Sequence, residues 1–249
     1  MPGLTKIEWT ETTWNPVTGC DKVSPGCKNC YAERMAKRLK AMDNPRYRNE
    51  FQVTLHNDLV GLPLCWSKPR KIFVNSMSDL FHEAVPLNFI QAVFETMNRA
   101  SQHNFQVLTK RSERLREISA ELTWTDNIWM GVSVELEDYA VRIDDLRTTG
   151  AAIKFLSLEP LLGSLKRVLL AGMDWVIVGG ESGPGSRPME KIWVREIRDK
   201  CDDQDIPFFF KQWGGFHKKK NGRTLDDRIH DDFPLAPVIS LPSTELASV

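Results

Sequence analysis

Three cysteine residues, Cys20, Cys27 and Cys30, lie close together near the start of the chain, in a segment we call the cysteine loop (residues 19–30). Their spacing is C-x6-C-x2-C, and glycine and proline interrupt the segment, as is typical of a loop. Clustered thiolates in a reducing compartment usually hold a soft metal centre. Structural zinc normally takes four protein ligands, whereas a 4Fe–4S cluster on three thiolates leaves one iron free. The segment therefore predicts a metal-binding loop, and three ligands favour an iron–sulfur cluster.

The remaining cysteines, Cys65 and Cys201, have the pattern of packing residues. Cys201 follows Trp193, Val194 and Ile197 at helical spacing, which places it on the apolar face of a predicted helix. The total of five cysteines is odd and no export signal is recognisable, so a disulfide scaffold is not expected.

The composition is that of an ordinary soluble protein. The chain has 249 residues, of which 41% are hydrophobic and 27% are charged, and this length can bury a sizeable core. Lys and Arg number 33, and Asp and Glu number 33; the zero net charge excludes a strongly basic, non-specific nucleic-acid binder. No apolar run approaches the roughly 20 residues of a membrane helix. We expect a cytoplasmic protein with one domain over residues 1–230 and an irregular tail over residues 231–249.

Short apolar runs alternate with helical patterns along the chain. Strands are predicted at residues 13–17, 72–75, 105–108, 128–134, 153–158, 175–178 and 207–210, and more weakly at 51–55. The runs are continuously apolar, which is typical of parallel strands buried on both faces. Helical patterns lie between them, and one follows the cysteine loop directly, at residues 31–42. These repeats predict an α/β fold, a TIM-like (β/α) barrel, complete or partial, of about six to seven βα units. A doubly wound open sheet is the alternative.

Polar residues follow the predicted strands at the points where the strands end. All strand C-termini of a parallel barrel open on one face, and that face carries the active site. The polar residues placed there, beside the cysteine loop, include Ser76, Ser78, Asp79, Lys110, Glu135, Glu159, Glu181 and Lys211. We predict that Glu159, Glu181 and Lys211 are catalytic. A glycine-rich loop, residues 179–185, suits either close approach to a ligand or a plain tight turn.

Several stretches of the chain together resemble a known superfamily. They are residues 6–10, 14–33, 73–82, 106–111, 131–135, 157–160, 179–183 and 210–215. Three cysteines on the loop after the first strand of a βα barrel resemble the radical S-adenosylmethionine (SAM) superfamily. More closely, the chain resembles a phage- and plasmid-associated family of three-cysteine, radical-SAM-like proteins of unknown function.

This resemblance implies a pair of cofactors and an activity. Cys20, Cys27 and Cys30 would hold three irons of a 4Fe–4S cluster, and SAM would bind the remaining iron through its amino and carboxylate groups. One electron, supplied by an external donor through the cluster, would cleave the sulfonium and release a 5′-deoxyadenosyl radical. That radical would abstract a hydrogen atom from the substrate, while the protein binds, orients and excludes water.

The resemblance also implies which polar residues contact SAM. By analogy these are Ser76, Ser78, Asp79, Lys110 and Glu135. The segment after the second strand would hold the methionine ammonium, and Lys110 or Arg111 would pair with its carboxylate. Glu135 or Glu159 would meet the ribose hydroxyls. The superfamily usually has C-x3-C-x2-C spacing and an aromatic residue before the last cysteine, where this chain has Asn29.

A nucleic acid or nucleotide is the substrate that the resemblance implies, because the family is associated with mobile elements. The sequence adds local basic runs at residues 34–48 and 218–223, and eight tryptophans, some of which could stack on bases. A solvated helix face and tryptophans packed in the barrel explain the same features without a nucleic acid.

Two other functions remain open on the residues alone. A non-enzymatic zinc or iron–sulfur protein with a degenerate barrel would act through a partner; as a zinc protein it needs a fourth ligand, for which His82 is the candidate. A metal-independent barrel enzyme, such as a hydrolase, would use Asp79 and the glutamates.

Overall fold

Parallel strands form the frame of the fold in the computed structural model, which describes residues 5–235. In chain order the strands are β1 (Thr12–Trp14), β2 (Val17–Thr18), β3 (Thr54–Leu55), β4 (Lys71–Val74), β5 (Asn104–Thr109), β6 (Ile128–Ser133), β7 (Ile153–Leu158), β8 (Trp175–Gly179) and β9 (Phe208–Gln212). Seven of them make one sheet in the order β1-β4-β5-β6-β7-β8-β9, and β2 and β3 form a separate antiparallel pair. No ladder joins β1 to β9 within the described residues, and the sheet curls into an open half-barrel. The predicted partial (β/α) barrel is confirmed.

Helices connect the strands, and several of them pack against the outside of the half-barrel. They are α1 (Tyr31–Ala41), α2 (Asn57–Val60), α3 (Leu87–Arg99), α4 (Ser112–Ile118), α5 (Val141–Arg147), α6 (Lys191–Asp202) and α7 (Lys218–Asn221). Short 3-10 turns occur at Pro25–Cys27, Pro45–Tyr47, Leu62–Cys65, Ser119–Glu121 and Glu137–Tyr139. The helical spacing of apolar residues buries one face of each longer helix; in α3, Ile90, Val93 and Met97 are fully buried. Within the described residues, no helix combines the length and apolar character needed to cross a membrane.

The sheet carries a separate apolar layer on each face because alternate side chains of a strand point to opposite sides. One layer contains no helical residue and therefore lies on the concave face; its buried members are Trp9, Phe73, Trp129, Ile153, Phe155, Trp175, Ile177 and Phe209. The other layer joins the sheet to the helices. The Phe155 ring packs on the concave face directly against Gly131 of β6. A Cβ at position 131 would lie 2.5 Å from that ring, so a larger residue would not fit there.

The first strand differs from the predicted span of residues 13–17. β1 ends at Trp14, and the chain turns through Pro16 before β2 begins. Proline has no N–H to donate to a ladder, which explains why the barrel strand stops there. The weakly predicted strand at 51–55 is reduced to β3, which pairs with β2 outside the barrel. The other predicted strands agree with the structure to within two residues at each end.

The first residues of the expected tail contact the barrel. Asp231 forms an antiparallel bridge with Phe209, and the ring of Phe233 lies 4.8 Å from that of Trp175. The Trp175 indole N–H donates to the carbonyl of Asp232 at 2.8 Å. Residues 236–249 lie outside the described residues, and the domain boundary at residue 230 stays a prediction.

Candidate functional site

A cavity of about 500 Å³ opens at the carboxyl ends of the parallel strands. Trp9 and Phe73 of the concave aromatic layer line it, so its inner surface is largely apolar. The predicted site residues that line it are Cys27, Cys30, Lys110, Glu159, Glu181 and Lys211. The other predicted site residues are outside its lining: Cys20, Ser76, Ser78, Asp79 and Glu135. The structure thus gathers the predicted catalytic residues around one cavity, with two of the three cysteines.

The cysteine loop connects β2 to α1. Cys27 ends the 3-10 turn that begins at Pro25, and Cys30 is the N-cap residue of α1. Cys20, Cys27 and Cys30 are all free thiols and partly buried. The loop begins at Gly19, where φ is +87° and a Cβ would lie 2.2 Å from the Gln52 carbonyl oxygen, so only glycine fits there.

Cys20 lines a different cavity, of about 760 Å³, together with charged residues that include Lys22 and Glu33. Its Sγ accepts a hydrogen bond from the Arg111 guanidinium at 3.4 Å. Burial and the Asp79 carboxylate raise the pKa of Cys20 to about 12, although Arg111 acts in the opposite direction. Across residues 5–235, no three His, Cys, Asp or Glu side chains form a ready-made metal site. The three thiols therefore share one loop but do not make a ready-made metal site in the described part of the chain.

The Asp79 carboxylate is buried and engaged by protein donors. These donors, at 2.7–3.4 Å, are the backbone N–H groups of Phe81 and Lys110, the Thr109 hydroxyl and the Arg111 guanidinium. Arg111 also donates to Glu83 at 2.9 Å. These contacts tie the loop after β4 to the loop after β5. A contact between Asp79 and SAM stays a prediction, and the carboxylate already has partners of its own.

Ser76 and Ser78 lie in the loop after β4, and both hydroxyls donate hydrogen bonds within the protein. Ser78 Oγ donates to the carbonyl of Val17 at 2.8 Å, and Ser76 Oγ donates to Asn15 Oδ1 at 3.2 Å. The Tyr31 hydroxyl donates to the carbonyl of Ser76. The loop after β4 is therefore bonded to the β1–β2 connection and to the first turn of α1.

Glu135 is fully buried and contacts the cysteine loop. One of its carboxylate oxygens accepts a hydrogen bond from Arg142 at 2.9 Å, and the other accepts from the backbone N–H of Gly26 at 3.2 Å. A Cβ on Gly26 would lie 3.1 Å from this carboxylate, so bare backbone lets the loop approach closely. Glu135 supports the cysteine loop, and its predicted contact with a ribose stays a prediction.

Glu159 and Lys211 form an ion pair inside the cavity. Lys211 Nζ lies 2.9 and 2.8 Å from the two Glu159 oxygens, and the side chains are 14% (Lys211) and 21% (Glu159) exposed. Gln212 Nε2 donates to Glu159 at 3.4 Å and to the carbonyl of Gly180 at 3.3 Å. Glu159 directly follows the end of β7, and Lys211 is the penultimate residue of β9, so both charged groups lie at the carboxyl ends of barrel strands. A carboxylate beside an ammonium can accept and donate protons next to a bound substrate.

Glu181 also lines the cavity, but its carboxylate is held by other side chains. Arg187 donates to it from its backbone N–H and from its guanidinium at 2.5–2.9 Å, and Asn29 Nδ2 donates at 2.9 Å. Burial acts to raise the pKa of Glu181, but these hydrogen bonds prevail and lower the pKa to about 2. Glu181 is therefore a fixed anion at neutral pH.

The structure also adds residues that the sequence analysis does not assign to the site. Trp9, Arg34, Gln212 and Phe216 line the cavity, and Phe216 is 65% exposed at its edge. Gln212 and Phe216 come soon after the last predicted strand, and the rule that barrel sites follow strand ends would have included them.

His82, the candidate fourth zinc ligand, uses both ring nitrogens within the protein. Nε2 lies 3.1 Å from Asp21 Oδ2, and Nδ1 accepts from the backbone N–H of Ala84 at 3.0 Å. Zinc binds one ring nitrogen of a histidine. A zinc site with His82 as the fourth ligand would therefore require one of these two nitrogens to give up its present partner.

Residues 4–234 match the sequence profile of a family described as a protein of unknown function (DUF5131). The chain belongs to this family. No curated protein sequence matches this DUF5131 chain.

Solved structures of spore photoproduct lyase are similar to this DUF5131 protein in fold. The lyase complexed with dinucleoside spore photoproduct has a TM-score of 0.51 and 12% sequence identity, over 81% of this chain and 64% of that chain. A cysteine-to-serine variant gives 0.52 at 13% identity and a tyrosine-to-phenylalanine variant 0.51 at 12%, with the same coverage. The DUF5131 chain thus spans about 64% of the length of these lyase chains. The likeness establishes the fold, a partial (β/α) barrel.

Proposed function

We propose that this protein is a radical-SAM-like iron–sulfur enzyme that acts on a nucleic acid or nucleotide. The observation that carries the proposal is that Cys27 and Cys30 line the same cavity as the Glu159–Lys211 ion pair. A sulfur-bearing loop, an apolar wall and an ion pair thus meet at the carboxyl ends of the strands, where barrel enzymes carry their active sites. The fold shared with spore photoproduct lyase supports the proposal.

The cysteine loop fits a sulfur-ligated cluster by the chemistry of its donors. Its three thiols are free and partly buried, and thiolates are the usual ligands of iron–sulfur clusters. Cys27 and Cys30 share one cavity while Cys20 lines the other. Cys20 and Cys27 nevertheless lie close enough for their thiols to interact electrostatically.

The chain's own residues would bind the substrate, exclude water and handle protons. When bound, the cluster and SAM supply the one-electron chemistry that begins hydrogen abstraction. The apolar wall at Trp9 and Phe73 keeps water from one side of the cavity. Lys211 Nζ and the Glu159 carboxylate lie 2.8–2.9 Å apart. At a bound substrate, Lys211 would donate a proton and Glu159 would accept one.

Aromatic and cationic side chains at the cavity mouth support a nucleic-acid or nucleotide substrate. Tyr31 and Phe216 line the cavity and are 50% and 65% exposed, so their rings are available for stacking on a base. Arg34 and Arg38 are exposed on α1 four residues apart, hence on one helix face. The Arg38 side chain makes no ion pair or hydrogen bond within the described part of the chain, which leaves its charge for a phosphate.

Anaerobic reconstitution with iron and sulfide tests the cluster. We expect a brown protein that absorbs near about 400 nm through its thiolate-ligated iron. A triple variant, with Cys20, Cys27 and Cys30 each replaced by alanine, should lose most of the bound iron. A matched control that replaces Cys65 and Cys201 should keep it. Equal iron in the triple variant and the wild type would contradict the proposal.

SAM cleavage tests the activity separately. The reconstituted wild type, incubated with SAM and dithionite, should release 5′-deoxyadenosine, and the triple cysteine variant should release none. Tight binding of one zinc ion with no SAM cleavage would instead indicate a non-enzymatic metal protein. Full activity of the triple variant on a substrate would indicate a metal-independent enzyme.

A further inference from the structure

Asn29 ties the cysteine loop to the glycine-rich loop after β8. Its side-chain amide donates to Glu181 Oε2 at 2.9 Å and to the carbonyl of Gly185 at 2.9 Å. Asn29 is the residue before Cys30, so both contacts bear directly on the position of that thiol. The side chain is thus committed to the partner loop.

Arg187 joins the same two loops through a second set of contacts. Its backbone N–H and Nε donate to Glu181 at 2.9 Å each, and its terminal guanidinium nitrogen donates to the carbonyl of Pro25 at 2.9 Å. Pro25 lies two residues before Cys27. Arg187 therefore holds the loop near Cys27 as Asn29 holds it near Cys30, and both meet at one carboxylate.

The glycine-rich loop has the backbone that this contact requires. Gly183 has a φ of +96°, and a Cβ there would lie 2.9 Å from the guanidinium of Arg34. Arg34 donates to the carbonyl of Ser182 at 2.9 Å, which also attaches the first turns of α1 to the loop. The glycines thus allow close approach, and the partner they approach is the helix that follows the cysteine loop.

The contacts around Glu181 are of the strong kind. The Glu181 side chain is 4% exposed and that of Arg187 is 29% exposed, so water competes little for the carboxylate. The guanidinium donates to both carboxylate oxygens, and charge-assisted bidentate pairs are stronger and more directional than neutral hydrogen bonds. The longest regular element in the cysteine loop is a single 3-10 turn, Pro25–Cys27. The order of the loop therefore depends on contacts with other segments.

We infer that Asn29, Glu181 and Arg187 form a latch, a set of positioning residues that orders the cysteine loop and directs Cys27 and Cys30 into the cavity before any metal binds. The ordering of the loop follows from the contacts of this chain alone, and its consequence for iron rests on the proposed function. The latch makes Glu181 a positioning residue, in place of the catalytic role predicted from its place after a strand.

Hydrogen exchange on the metal-free, full-length protein tests the latch. Asn29→Ala and Glu181→Gln should each raise exchange of the cysteine-loop amides at least about tenfold, while the amides of β6 and α3 stay protected. The increase in the double variant should be smaller than the product of the two single increases, because both substitutions remove a contact at one carboxylate. Arg187→Lys should retain part of the protection that Arg187→Ala loses. Glu137→Gln is the matched control, because Glu137 accepts from both the backbone and the guanidinium of Arg167, outside the cysteine loop.

A second readout follows reconstitution with iron and sulfide. The reduction potential and electron paramagnetic resonance signal of the iron should shift in Glu181→Gln and Asn29→Ala, and should not shift in Glu137→Gln. Unchanged loop exchange in the latch variants would overturn the inference, as would an increase spread evenly over the whole chain. A wild type that binds no iron would contradict the proposed function, while local loss of loop protection in the variants would still support the latch.

Discussion

Each predicted carboxylate of the site has its own basic partner. The pairs are Asp79 with Arg111, Glu135 with Arg142, Glu159 with Lys211, and Glu181 with Arg187. Buried charges require such partners because an unpaired charge in a protein interior is costly. Only the Glu159–Lys211 pair has both members in the lining of the cavity, among the described residues. Location after a predicted strand therefore identified the candidate site carboxylates. The position of the basic partner then separates a carboxylate that a substrate can reach from those that support loops.

The two cysteines outside the loop differ in accessibility, and this difference predicts their reactivity. Burial raises the pKa of Cys201 from 9.0 to about 12, and its side chain is fully buried, whereas Cys65 is exposed. A shift of this size lowers the thiolate fraction at neutral pH about a thousandfold. Iodoacetamide at pH 8 should label Cys65 in the native protein and Cys201 only after denaturation, as read by peptide mass spectrometry. Labelling of both at equal native rates would contradict this prediction.

Helix α1 links the cysteine loop to the exposed cations because it begins immediately after Cys30. Its buried side is made of small residues, Ala32 and Ala36, which let the helix lie close to the protein. Arg34 and Arg38 consequently extend along one outer face from the cavity mouth. A predicted metal ligand, Cys30, is thus the N-cap residue of the helix that carries these two cations.

Replacement of Arg38 tests α1 as a phosphate-binding element. Arg38→Ala should weaken binding of a labelled single-stranded oligonucleotide and reduce the slope of log K against log salt by about one, the value for one lost phosphate contact. Fluorescence anisotropy across a salt series measures both. Arg99→Ala, which removes an exposed arginine from α3, should leave the slope unchanged. Equal effects of the two substitutions would contradict a specific role for α1.

The molecule as a whole has zero net charge, and three of its five histidines are buried with a lowered pKa. His56, His103 and His230 are 7%, 0% and 7% exposed, and burial lowers the pKa of each below the usual 6.5. The unfolded chain therefore binds protons at a higher pH than the folded chain does. Stability consequently rises with pH across this window and falls as the pH drops below 6.5.

We expect the urea midpoint of unfolding to decrease steadily between pH 7.5 and pH 5.5, above the range in which carboxylates titrate. His103→Gln should flatten this dependence, because it removes one of the titrating groups. His217→Gln, at an exposed histidine, is the control and should keep the slope. A midpoint that is constant over this range, or that rises as the pH falls, would contradict the assignment.

Local patterns in the chain were sufficient for the fold class, the strands and the candidate metal ligands. Apolar runs and helical spacing are properties of neighbouring residues, and they predicted β7 at 153–158 to the residue. The distinction between Cys201 and the clustered cysteines likewise followed from short-range spacing. The predicted iron ligands stay a prediction, because the described residues contain no preformed metal site.

Contacts between distant segments were needed for the rest. Asn29 and Glu181 are 152 residues apart in the chain, and no local pattern relates a side chain before a cysteine to a carboxylate after β8. The sharing of one cavity by Cys27, Cys30, Glu159 and Lys211 likewise depends on how far the sheet curls. Packing across the whole half-barrel sets both the curl of the sheet and the ion pairs between distant segments. A single sequence does not state which groups far apart in the chain come into contact.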